Sequence, residues 1–183
     1  MFAVDLTDPM TTLIPPHQIS WGKHRDSIEV SLHTLSDAVK KELQVMFPTV
    51  DVSELVAMPT CQKAQFELVN VGPEVEEEKD RLLECFMSFA SFVSDSLYDL
   101  GYFCDYIDPC SGLSVRCKDT NKFFDEVSSF QSLLKYETMN AGCCKVLLHP
   151  IWGSAVYPAT IITNAPKRVV EELLERIQVN ISA

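Results

Sequence analysis

The chain has 183 residues, 46% of them hydrophobic, with 15 basic and 26 acidic residues and a formal net charge of −11. That length suffices for one domain with a core of its own, and the apolar fraction excludes an intrinsically disordered polypeptide. The negative charge argues against a nucleic-acid or anionic-membrane surface, and no apolar run approaches the roughly 20 residues that a membrane helix needs.

Residues 1–27 hold "DP", "IPPHQ" and "WGKHRDS" and are expected to form an extended N-terminal arm, ahead of a single globular domain over 28–183. Lys23, His24 and Arg25 are the densest basic cluster and read as a solvated turn rather than a phosphate site. Ile28, Val30 and Leu32 alternate with Glu29, Ser31 and His33, which predicts a half-buried strand with His33 on the exposed side. Thr34 and Asp37 resemble an N-cap pair. Leu35, Val39, Leu43 and Met46 follow at helical spacing until Pro48. Strands are expected near 54–61 and 66–69.

Gly72-Pro73 then opens a long helix. Glu74, Glu76, Glu77 and Glu78 suit its positive end and form a solvated face, not a metal site. Its core stripe is Leu82, Phe86, Phe89, Val93, Leu97 and Leu100, and Gly101 stops it. "GYFCDYIDPCSGLSV" reads as strand, turn, strand. Ser111 belongs to that turn, because the G-x-S-x-G of a nucleophile elbow is absent. A short helix and loops fill 119–138. Strands follow at 143–149 and 155–163 around the "HPIWGS" corner. A last helix begins at Asn164 and Pro166, with Val170, Leu173, Leu174 and Ile177 inward. Hairpin-linked strands with interspersed helices predict an α+β fold with a mostly antiparallel sheet. The chain has no dinucleotide fingerprint, phosphate-binding loop or internal repeat.

Seven cysteines stand at 61, 85, 104, 110, 117, 143 and 144. An odd count without C-x-x-C reads as reduced thiols, and Cys104, Cys110 and Cys117 have no nearby histidine to complete a zinc set. The charge and the thiols fit a cytoplasmic protein that meets another protein or a small molecule.

The adjacent pair raises a choice, since a strand sends successive side chains to opposite faces. One face would carry Cys143, Lys145, Leu147 and His149; the other would carry Cys144, Val146 and Leu148. The second set is wholly apolar and is expected against the core, with Cys144 as a small hydrophobe. Cys143 would share its face with the Lys145 ammonium, which favours thiolate, and Gly142 leaves backbone room for a bulky ligand. Such a thiolate is a soft ligand or a nucleophile. The bland alternative is two ordinary reduced cysteines.

"GYFCDYIDPCSGL", "GCCKVLLHPIWGS" and "IITNA" resemble the cobalamin type D trafficking family, the likeness running from about 28 to 178. The resemblance implies a modified nitroreductase-like fold that has lost its flavin. It also implies a chaperone or adaptor rather than an enzyme, directing cobalamin between methionine synthase and methylmalonyl-CoA mutase. The implied partner is the cobalamin type C processing protein, which holds the cobalamin, with methionine synthase as a further partner. No resident flavin is implied, nor cobalamin held by this chain alone. The family's first motif cysteine, here Cys143, would coordinate cobalt, with Lys145 keeping the sulfur ionised and His149 as a proton acceptor or supporting group. Trp152 is expected to pack at the corner. Family members extend further N-terminally with targeting information and also serve mitochondria; this chain shows no such segment. The rivals are a flavin-dependent nitroreductase-like enzyme, a thiol oxidoreductase and an interaction module in which no cysteine matters.

Overall fold

Two apolar periods, one of two residues and one of three to four, account for the architecture. The computed structural model describes residues 11–118, 121–142 and 144–182. Its elements are β1 (Thr12–Trp21), β2 (Asp26–Thr34), α1 (Asp37–Met46), β3 (Val56–Lys63), α2 (Pro73–Asp99), β4 (Cys104–Tyr106), α3 (Glu126–Leu134), β5 (Glu137–Ala141), β6 (Cys144–Leu148), β7 (Val156–Thr163) and α4 (Lys167–Ser182). The main sheet has the order β1-β2-β3-β7-β4, and β5 and β6 form a separate two-stranded ribbon. Every pairing is antiparallel, so the α+β reading with a mostly antiparallel sheet holds.

Each inner strand presents apolar residues to both sides. Ile28, Val30, Leu32, Met58, Ala159 and Ile161 face α2 and α4, meeting Phe86, Phe89, Val93, Leu97, Val170 and Leu174. Ala57 and Ile162 face the other way, against Leu43, Met46 and Phe47 at α1 and Leu133 of α3. Cys61 and Val156, also on that second face, meet Phe130 of α3 and Leu147 of β6. The sheet is therefore the middle of three layers. The stripe on α2 is buried from Leu82 to Leu97, whereas Leu100 lies past the helix end and is exposed. Gly101, at φ +87°, donates to Tyr98 O at 2.9 Å, and Tyr102 N donates to Leu97 O at 3.0 Å. These paired bonds satisfy the last carbonyls of α2 and require the left-handed conformation that glycine adopts without strain.

Several expectations need correction. His33 is buried, not exposed, because the second layer covers its face of β2. The Thr12 and Ser31 hydroxyls lie 3.2 and 2.9 Å from its ring nitrogens, and burial pushes its pKa down to about 4. The N-cap of α1 is Ser36, whose side chain accepts from Val39 N. Thr34 instead still belongs to β2, and its hydroxyl accepts from Thr11 N at 2.7 Å. Glu78 is buried, receiving Arg81 and Gln65 N, and so is not part of a solvated face. No strand forms at 66–69; Asn70 N closes a turn on Glu67 O. The return strand after Asp108-Pro109 is reduced to one bridge, Ile107 with Ser114.

The segment expected as an arm supplies, over Thr12–Trp21, one edge of the main sheet. Its register shifts between Ile14 and His17, where Pro15 and Pro16 sit. An edge strand tolerates proline because one row of its N–H groups needs no ladder partner. Residues 22–25 form the predicted basic turn, with Arg25 N donating to Gly22 O.

Candidate functional site

Cys144 stands at the turn end of the β5–β6 ribbon. Ala141 pairs with Cys144, so Gly142 and Cys143 are the two intervening residues. Gly142 has φ +63°, the sign that two-residue hairpin turns demand. Cys143 itself lies outside the described residues.

The faces of β6 are the reverse of the expected ones. Cys144 is exposed and Val146 and Leu148 are half-buried, while Leu147 is buried against Phe130 and Val156. Cys144 is therefore not a core residue. A ribbon with apolar side chains on both sides lays one face on α3 and the sheet, and the face ending in His149 is the one selected. Lys145 shares that inward side and reaches across to α3, where its Nζ donates to Gln131 Oε1 at 2.7 Å.

His149 is a buried keystone rather than a surface group, at 4% exposure. Ile151 N and Trp152 N both donate to its Nδ1, at 3.2 and 3.3 Å. Two donors at Nδ1 leave the ring proton on Nε2, which lies 3.1 Å from Glu29 Oε1. Tyr136 Oη donates to the same carboxylate oxygen at 3.1 Å, and the indole of Trp152 stacks on the imidazole with centroids 3.9 Å apart. His149 and Gly153 exchange backbone hydrogen bonds of 2.9 Å and close the corner. Trp152 packs there as expected. The ring of His149 is thus fully engaged in holding the corner that joins β6 to the main sheet. His149→Ala orphans two backbone N–H groups and removes one partner of the part-buried Glu29 carboxylate. It is expected to cost about 2–3 kcal/mol, read as a lower urea midpoint at unchanged slope.

Cys144, Lys145 and Val146 form one wall of an open cavity of about 400 Å³ whose other side includes Val69, Val127 and Pro158. The lining is mainly apolar, and the Lys79 side also contributes to it. Ligand pockets that enclose a drug-sized molecule span about 300–1,000 Å³. No group of three or more His, Cys, Asp or Glu residues poised for a metal ion occurs among the described residues.

The part-buried residues Glu29, Tyr136 and Glu126 escaped sequence reasoning. Glu29 sits on the polar side of an alternating strand and gave no signal of burial. The model of the methylmalonic aciduria and homocystinuria type D protein family matches residues 17–178. The chain belongs to this family. Among its relatives, the cobalamin trafficking protein CblD of Gallus gallus is 32% identical over 138 residues, covering 75% of this chain and 47% of the relative. The proteins of the same name from Mus musculus and Homo sapiens are each 33% identical over the same length and shares. This type D chain thus spans about half the length of the curated relatives it matches. The matched range includes Cys143, Lys145 and His149. No described helix is long and apolar enough to cross a membrane.

Proposed function

We propose that this chain is the cobalamin-directing domain of a type D trafficking protein, an adaptor and not an enzyme. The cobalamin type C processing protein holds cobalamin with one axial face of cobalt open. The Cys143 thiolate would supply the soft sulfur donor to that cobalt and so bridge the two proteins. The cargo then passes toward methionine synthase or methylmalonyl-CoA mutase. The scaffold is a modified nitroreductase-like fold without flavin, and its work is done in the cytoplasm, where cysteines stay reduced.

The observation that carries this reading is the family match across the Gly142–Lys145 hairpin, a hairpin standing beside an open, mainly apolar groove. A soft thiolate suits oxidised cobalt, and coordination shields the metal from water and stray thiols. Lys145, one residue beyond Cys144, would favour ionised sulfur nearby. His149 would contribute by holding the hairpin's base. Mixing the chain with cobalamin-loaded type C protein is the test. A new visible absorption band is expected, weakening as pH falls and the donor thiol protonates. No band, or a band indifferent to pH, overturns the thiolate ligand.

A further inference from the structure

The carboxyl group of Glu126 stands apart from the other buried polar groups described. Its Oε2 accepts a 2.5 Å hydrogen bond from Thr160 Oγ1, in the middle of β7. Its Oε1 is buried and meets no donor. Glu126 opens α3, where an outward carboxylate would be favoured by the helix dipole. Here it points down onto the sheet instead. An ionised carboxylate with one oxygen buried and undonated is strongly disfavoured; a neutral acid in the same place loses much less.

The surrounding groups agree. Asp125, the N-cap of α3, lies beside Glu126 and opposes its ionisation. From β3, the Cys61 thiol feels both Glu126 and, from β2, Glu29. Glu29 in turn is held by Tyr136 and His149. Lys145 of β6 acts on Asp125. Burial, the main cause, and Asp125 raise the Glu126 pKa to about 8 against opposing hydrogen bonding from the side chain and backbone of Thr160.

The helix that Glu126 anchors is also the support of the hairpin. Phe130 packs on Leu147, Cys61 and Val156, and Gln131 accepts from Lys145. We infer that Glu126 is a proton-operated latch: with its carboxyl protonated, α3 lies closed on β7 and holds the cysteine hairpin, and release of that proton to solvent frees α3 and the hairpin together. The device would regulate the proposed cobalt-binding segment, and in that functional sense alone it rests on the reading above.

The direction follows from linkage. The closed form binds a proton with a raised pKa, and the open form binds it as an ordinary glutamate. Closure is fully favoured below the ordinary value and is lost as pH rises toward the raised one. Between pH 6 and 8 the opening equilibrium should grow about fiftyfold, then level off above 8. Hydrogen–deuterium exchange of the full chain, corrected for intrinsic base catalysis, reads this. Protection of amides in α3 and the ribbon should fall by that factor between pH 6 and 8, with α2 unchanged. In Glu126→Gln the fall should vanish. The same fall in Glu126→Gln, or none in the wild type, overturns the latch. Should Glu126→Gln not fold, the carboxyl carbon resonance of Glu126 in the wild type decides: a midpoint near 8 upholds the latch and one near 4.5 sinks it. No cobalamin enters either measurement, so failure of the latch and failure of the cobalt reading are separately visible.

Discussion

Cys143→Ser is expected to abolish the visible band formed with cobalamin-loaded type C protein, and Cys144→Ser to leave it intact. The chemistry behind the first half is donor softness and ionisation. A serine hydroxyl stays protonated at neutral pH and offers a hard oxygen, so it supplies neither the charge nor the polarisable lone pair that a thiolate gives cobalt. The second half is the sharper test, because the structure makes Cys144 a real competitor. An exposed thiol in the groove wall could reach a ligand seated there. If Cys144→Ser loses the band and Cys143→Ser keeps it, the donor is Cys144. If both keep it, Cys143 is not the required donor. Cys144→Ser should unfold at the wild-type urea midpoint, since Cys144 is exposed and belongs to none of the core clusters described.

What could be read from the chain beforehand was whatever a single period decides. The α2 stripe from Leu82 to Leu97 and the inward set Val170, Leu173, Leu174 and Ile177 are buried as the helical spacing requires. The failures share one cause. Alternation along a strand tells two faces apart but does not say what covers each. In β2 both faces are covered, so Glu29 and His33 turn inward with partners that the sequence does not announce. In β6, Cys144-Val146-Leu148 is as apolar as Leu147 and its neighbours. The choice of inner face is made by Phe130 on α3 and Glu29 on β2, both remote in sequence. Charge misleads in the same way: Glu78 and Glu126 look like solvated helix-start carboxylates, and both are turned toward the protein. Pro15 and Pro16 hid a strand because proline argues against the sheet interior, and it does so correctly; β1 is an edge. Of the candidate site, the motif itself was legible, whereas β5, the turn at Gly142 and the support beneath the hairpin depended on tertiary packing.

Asp105→Ala is expected to destabilise the fold by about 3–5 kcal/mol, the largest effect of any single substitution considered. Asp105 is fully buried on β4, the edge strand opposite β1. That strand has only three residues, so its ladder with β7 is short. Side chains complete the attachment. Thr163 Oγ1 donates to Phe103 O at 2.6 Å, Phe103 N donates to Asn164 Oδ1 at 2.8 Å, and Ser94 Oγ donates to Cys104 O at 2.8 Å. The Asp105 carboxylate then gathers the chain that follows. Oδ1 accepts from Tyr106 N and Arg116 N, at 2.7 and 3.0 Å, and Oδ2 accepts from Cys117 N at 2.8 Å and from the Ser114 hydroxyl. Removing it leaves several part-buried donors without an acceptor, and each costs about 1–3 kcal/mol of desolvation less what water recovers. Asp105→Asn keeps the size and one acceptor but turns an amide donor toward other donors, so its loss should be about half as large. Urea unfolding of both variants at neutral pH checks the order. A loss under about 1 kcal/mol for Asp105→Ala would mean that residues 114–117 hold their path without the carboxylate, and that the Phe103 and Ser94 bonds alone secure this edge.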